Sequence, residues 1–106
     1  MAETGILAQS SPAASTLTDM LTVTTPQAVA TGILACNQVT GSITVRIAIS
    51  PGGAAIAASH YIAYDVVVGP GRTIIIDFPK QGIRLGSGTV VRVYASDTAS
   101  FILLGD

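Results

Sequence analysis

The chain has 106 residues, enough for one domain with a modest core. Hydrophobic residues make up 49% and charged residues only 10%, where a soluble domain carries about 25% charged. A net charge of −1, with Arg46, Arg72, Lys80, Arg84 and Arg92 scattered singly, excludes a basic tract that follows a phosphate backbone, so no nucleic-acid partner is expected.

So little charge leaves a free surface poorly protected against association. Much of it is therefore expected to be covered by neighbours. Cys36 is the single cysteine, which rules out an internal disulfide and zinc-type spacing; it reads as a small apolar residue. The start, Met1-Ala-Glu-Thr-Gly-Ile-Leu7, carries an acid where a secretory signal would be basic, so no such signal is expected. Residues 20–45 are uncharged, but Pro26, Gly32, Asn37-Gln38 and Thr40-Gly41-Ser42 interrupt them. A membrane helix needs about 20 successive apolar residues, so no membrane partner is expected.

In chain order, residues 1–16 are rich in small residues and read as an extended N-terminal arm, with residues 17–106 as the folded domain. The arm is expected to lie on its own domain or on a neighbour. A Thr-rich strand is predicted over 17–24, a turn at Thr25-Pro26-Gln27, and a second strand over 28–36 with Gly32 as a candidate bulge. The stretch Ile43-Thr-Val-Arg-Ile-Ala-Ile49 alternates strictly, which predicts a strand with Ile43, Val45, Ile47 and Ile49 on a dry face.

Pro51–Ser59 is a small-residue loop in which a short helix over 54–58 suits local propensity. Residues 60–68 form the next predicted strand, with Tyr61, Ala63, Asp65 and Val67 on one face and Ile62, Tyr64, Val66 and Val68 on the other. Gly69-Pro70-Gly71 turns the chain. Strands are then predicted over 72–78, 83–85, 89–95 and 99–104, separated by Pro79-Lys80-Gln81-Gly82, Gly86-Ser87-Gly88 and Ser96-Asp97-Thr98. About eight short strands with regular turn signals predict an all-β chain, a single antiparallel β-sandwich of jelly-roll or Ig-like order.

No catalytic constellation emerges. His60 is the only histidine, and Gly-x-Ser-x-Gly is absent. A Ser-His-Asp centre would need His60 with Asp65 or another acid and an activated serine. The acids are never closer than nine residues in sequence, so nothing marks a carboxylate pair or a calcium loop. Gly69-Pro70-Gly71-Arg72 and the Gly82–Gly88 stretch lack Gly-Lys-Ser/Thr and open no predicted helix, which makes them turns rather than phosphate cradles. No enzyme activity, cofactor or metal is expected. Tyr61, Tyr64 and Tyr94 suit a sugar-binding surface, but alternation puts two of them on opposite faces of one strand, which favours core or interface roles.

The segments Leu7-Ala-Gln-Ser-Ser-Pro-Ala-Ala-Ser-Thr-Leu17, Cys36-Asn37, Arg46-Ile-Ala-Ile-Ser-Pro-Gly-Gly53, His60-Tyr-Ile-Ala-Tyr-Asp65 and Val90-Val-Arg-Val-Tyr-Ala-Ser96 resemble small virion structural proteins of tailed bacteriophages. The resemblance implies a compact, oligomeric β-sandwich attached to the capsid or the tail. The expected role is a capsid decoration (cement) protein, a homotrimer on the virion surface whose partners are the major capsid protein and itself. A tail, collar or baseplate accessory is the alternative, and a carbohydrate-binding module a more distant one. Ile6, Leu7, Pro12, Leu17 and Met20 of the arm, with Pro51 and Ile56 of the loop, are the candidate assembly contacts.

Overall fold

The computed structural model describes residues 5–24, 27–53, 55–78 and 82–105. The turn expected at Thr25-Pro26 and the break at Pro79-Lys80-Gln81 lie outside the described residues. Nine strands are described: β1 Gly5–Ser10, β2 Thr18–Thr22, β3 Gln27–Asn37, β4 Ile43–Ser50, β5 Tyr61–Val68, β6 Thr73–Asp77, β7 Ile83–Gly86, β8 Val90–Ala95 and β9 Ala99–Gly105. They form two antiparallel sheets, β1-β9-β3-β6 with β7 also on β3, and β2-β8-β4-β5. β6 runs beside Gly32–Cys36 and β7 continues in the same direction beside Gln27–Ala30, so the two share one strand position.

This strand order is that of a jelly roll: each four-strand layer draws on both ends of the chain. An Ig-like order would keep the last strand beside β8, whereas β9 lies between β1 and β3 in the opposite layer.

The N-terminal segment lies on its own sandwich. Gly5–Ser10 pairs with β9 from Gly105 to Phe101, and Leu7 and Ala8 pack on the core. Composition concealed this strand because its apolar residues are few. Pro12 is buried and the Ser11 hydroxyl donates to the Ala99 carbonyl at 3.1 Å, so the chain stays attached as it leaves β1. Truncating the first sixteen residues would therefore remove a strand rather than a free arm.

Between the layers lies a core of aliphatic side chains and Phe101. Ile33, Phe101 and Leu103 come from one sheet and Val45, Ile47, Val91 and Val93 from the other, all at most 1% exposed. Burying each such side chain stabilises the fold by about 1.5–3 kcal/mol. In β4, Ile43, Val45 and Ile47 are buried and Ile49 packs on the core, as the alternation predicted. The bulge expected at Gly32 is present as a register shift of β3 against β9 between Ala30 and Gly32. Bulges also depart from simple alternation. One in β2, between Asp19 and Leu21, lets both Met20 and Leu21 pack on the core. In place of the short helix expected over 54–58, 3-10 turns stand at Pro51–Gly53 and Ala58–His60, and 55–57 is irregular.

Asn37 ties the layers together. It is 1% exposed at the end of β3, and its Nδ2 donates to the carbonyls of Gly41 at 2.8 Å and of Val68 and Gly69 at 3.0 Å. Its Oδ1 accepts from the Val39 N–H at 2.9 Å. One amide thereby joins the first sheet to the end of β5 in the second.

Asn37→Asp replaces the donor with a carboxylate facing three carbonyl oxygens and should destabilise by about 3 kcal/mol or more, read as a lower urea midpoint. Deleting residues through Ser10 should cost at least about 3 kcal/mol by uncovering β9, measured the same way.

Candidate functional site

The distinctive surface is the outer face of the β2-β8-β4-β5 sheet at its β5 edge. β5 leaves strict alternation twice. Against β4, one step from Ile47 to Ala48 matches two steps from Ala63 to Tyr61, and two steps from Val45 to Ile47 match three from Val66 to Ala63. Each mismatch inserts one residue into β5. At the second, Asp65 adopts φ 51°, a left-handed conformation that aspartate tolerates better than most residues.

These insertions overturn the expectation that Tyr61 and Tyr64 occupy opposite faces. Their rings meet edge-to-face, with centroids 4.9 Å apart at 85°. The Arg46 guanidinium sits 4.3 Å from the Tyr64 centroid and 4.7 Å from that of Tyr94. Arg46 and Tyr94 are directly opposite on β4 and β8, so sheet register brings them together. Tyr64 and Tyr94 thus flank one arginine, and Tyr61, the remaining tyrosine of the chain, joins them through Tyr64.

Arg46 Nε donates to Asp65 Oδ1 at 2.6 Å, and this hydrogen bond raises the guanidinium pKa above its ordinary value. The planar cation is held between two rings and neutralised by the neighbouring carboxylate.

A second polar chain anchors the loop before β5. Asp19 Oδ1 accepts from Arg92 Nε at 2.9 Å, and Arg92 Nη1 donates to Ser50 Oγ at 3.0 Å. Ser50 Oγ lies 3.2 Å from His60 Nδ1, and the Ala57 N–H also donates to that nitrogen at 3.2 Å. A backbone N–H can only donate, so Nδ1 is an acceptor and the imidazole proton resides on Nε2. The Ser50 hydroxyl then donates to His60 while accepting from Arg92.

This is a Ser-His contact without the geometry of a hydrolytic triad. Ser50 is fully buried, Asp65 is paired with Arg46, and Asp19 is paired with Arg92. Among the described residues no group of three metal-ligating side chains occurs, and no helix is long and apolar enough to cross a membrane.

The anchored loop and the tyrosine corner flank an open hollow of about 560 Å³ lined by Ile56, Ala57, Ala58, Tyr61 and Tyr64. Its size falls within the roughly 300–1,000 Å³ typical of small-ligand sites. Beside it, the β5 edge exposes Ile62, Val66 and Val67, the last at 65%.

The candidate contacts separate into two groups. Leu7 and Met20 pack on the core, Pro12 is buried and Leu17 is half-buried, so much of their apolar surface is committed within the chain. Ile6, Pro51 and Ile56 are exposed. Sequence reasoning missed the Arg46 stack and the Ser50–His60–Arg92 chain. Aspartate in mid-strand was the one available signal of a bulge. Compared with known proteins, the chain matches no family model and no curated protein.

Asp65→Val places a β-branched residue in the left-handed conformation and removes the partner of Arg46. It should destabilise by about 1–3 kcal/mol, whereas Asp65→Asn should stay within about 1 kcal/mol of the parent in urea denaturation.

Proposed function

We propose that this chain is a virion structural protein, a capsid decoration (cement) subunit that associates as a homotrimer and bridges major-capsid subunits on a phage head. The observation that carries this reading is the apolar edge formed by Ile62, Val66 and Val67 on a chain with only 10% charged residues. An exposed apolar strand edge invites association unless charge or proline guards it, and Asp65 is the only charge in β5. The jelly-roll fold is compatible with a capsid role but does not itself assign one. The resemblance of the quoted segments to tailed-phage virion proteins points the same way.

In this reading the work is mechanical. Each copy buries apolar edge surface against its neighbours, and contacts made only on the assembled lattice stabilise that lattice by mass action. The bridging surface is centred on the β5 edge, with Pro51, Ile56 and Ile6 as exposed supplements. Leu7, Pro12 and Met20 serve the subunit's own fold.

The test is stoichiometry. In purified particles, mass-spectrometric quantification against the major capsid protein should give hundreds of copies, whereas a few tens or fewer would replace this reading with the tail or collar alternative. Native mass spectrometry of the isolated chain should show trimers that Val67→Lys converts to monomers; a monomeric parent at micromolar concentration would count against the self-association.

A further inference from the structure

We propose that the hollow between residues 56–58 and the Tyr61–Tyr64 corner is a binding site for a neutral saccharide. The inference is separable from the virion reading, because it turns on the Tyr61–Tyr64 corner and not on Ile62, Val66 and Val67, although the two surfaces share Ile56.

The lining specifies the chemistry. Ile56, Ala57, Ala58, Tyr61 and Tyr64 carry no ionised group, and the adjoining Arg46 is neutralised by Asp65 at 2.6 Å. A charged ligand would find no unmatched charge here. Two aromatic rings at 85° provide a corner, and Tyr64 remains 57% exposed despite its contacts. The face of an aromatic ring is electron-rich and meets polarised C–H bonds favourably, which the flat C–H face of a pyranose presents. Ala57 and Ala58 add little side-chain bulk to the lining.

The polar neighbours decide between neutral ligands. The Nε–Oδ1 bond leaves Asp65 Oδ2 and the Arg46 terminal nitrogens available, an acceptor and a set of donors held beside the same ring. Sugar hydroxyls both donate and accept, so they use both. A proline-rich peptide, the other usual occupant of tyrosine-lined hollows, presents carbonyl acceptors and no prolyl N–H, and would offer no donor to Asp65 Oδ2. His60, fixed by Ser50 and the Ala57 N–H, is a positioning residue that holds the loop wall in place.

The chain has no tryptophan and all three tyrosines lie in this cluster, so intrinsic fluorescence reports on the site directly. The parent chain is titrated with linear neutral hexasaccharides of glucose, galactose, mannose and N-acetylglucosamine, and with a proline decapeptide. Tyrosine emission and backbone amide shifts are followed together. At least one hexasaccharide should change the emission and shift amides within residues 55–65. Tyr64→Ala should weaken that binding by about tenfold or more with an unchanged urea midpoint, and Asp65→Asn should weaken it several-fold. Val67→Lys should leave it intact even where trimers are lost, so that this site and the assembly reading fail separately. Binding of none of the hexasaccharides, binding indifferent to Tyr64→Ala, or binding of the decapeptide alone would overturn the proposal.

Discussion

The molecule is governed by the period-two rule of β-strands under a shared core: each strand surrenders alternate side chains to the space between the sheets. β8 obeys it from Val91 onward, with Val91, Val93 and Ala95 buried and Arg92 and Tyr94 half-buried on the outer face. That obedience fixes where Arg46 and Tyr94 must meet, since their strands pair in register at that point. β5 breaks the rule at two places while still sending Ala63 and Val68 into the core. The inserted residues are absorbed at the edge, where no further strand of this sheet has to follow them. The tyrosine corner is thus a consequence of core packing plus two insertions.

The energetic roles differ by burial. Phe101, Ile33 and Leu103 lose essentially all contact with water and carry the stability. The ion pairs do not. Side-chain exposure is 28% and 46% for Arg46 and Asp65, and 15% and 58% for Arg92 and Asp19, where such pairs contribute about 0–1 kcal/mol each. Their effect is orientation: one aligns a guanidinium between rings, the other secures the loop through Ser50 and His60. Asn37 belongs with the core, because its buried amide is fully hydrogen-bonded to the backbone at the junction of the sheets. Gly105 has a comparable role in backbone form, since a Cβ there would collide with the Val29 carbonyl and leave no room for β3 beside β9.

Most of the strands were legible in the sequence, because alternation in 43–47 and 91–95 records burial directly. Strand order was not. Whether β9 returns beside β8 or crosses to β3 depends on contacts among residues far apart in the chain, and both orders satisfy the same local patterns. Gly5–Ser10 was legible as a segment lying on its own domain or a neighbour but not as a strand, because an edge strand needs few apolar side chains when its neighbour already belongs to the core. The tyrosine site was illegible for a different reason. Counting by twos presumes an unbroken ladder, and one inserted residue reverses the face of everything beyond it. Asp65 carried the only hint, as a residue that accepts left-handed backbone in the middle of an apolar strand.

The same insertions constrain how the β5 edge can be used. Strand addition along this edge would require a regular row of backbone groups, and bulges interrupt that row between Tyr61 and Val66. Only the Val66–Val68 end keeps an unbroken register with Val45–Ile43. A neighbour at this edge therefore meets side chains, chiefly Ile62, Val66 and Val67, more than an open ladder. Contacts of that kind are shape-dependent and close into defined assemblies more readily than edge-to-edge pairing, which propagates without limit. The bulges thereby have two consequences from one distortion: they turn the tyrosines to a common face, and they leave an apolar edge that presents side chains more than an open ladder.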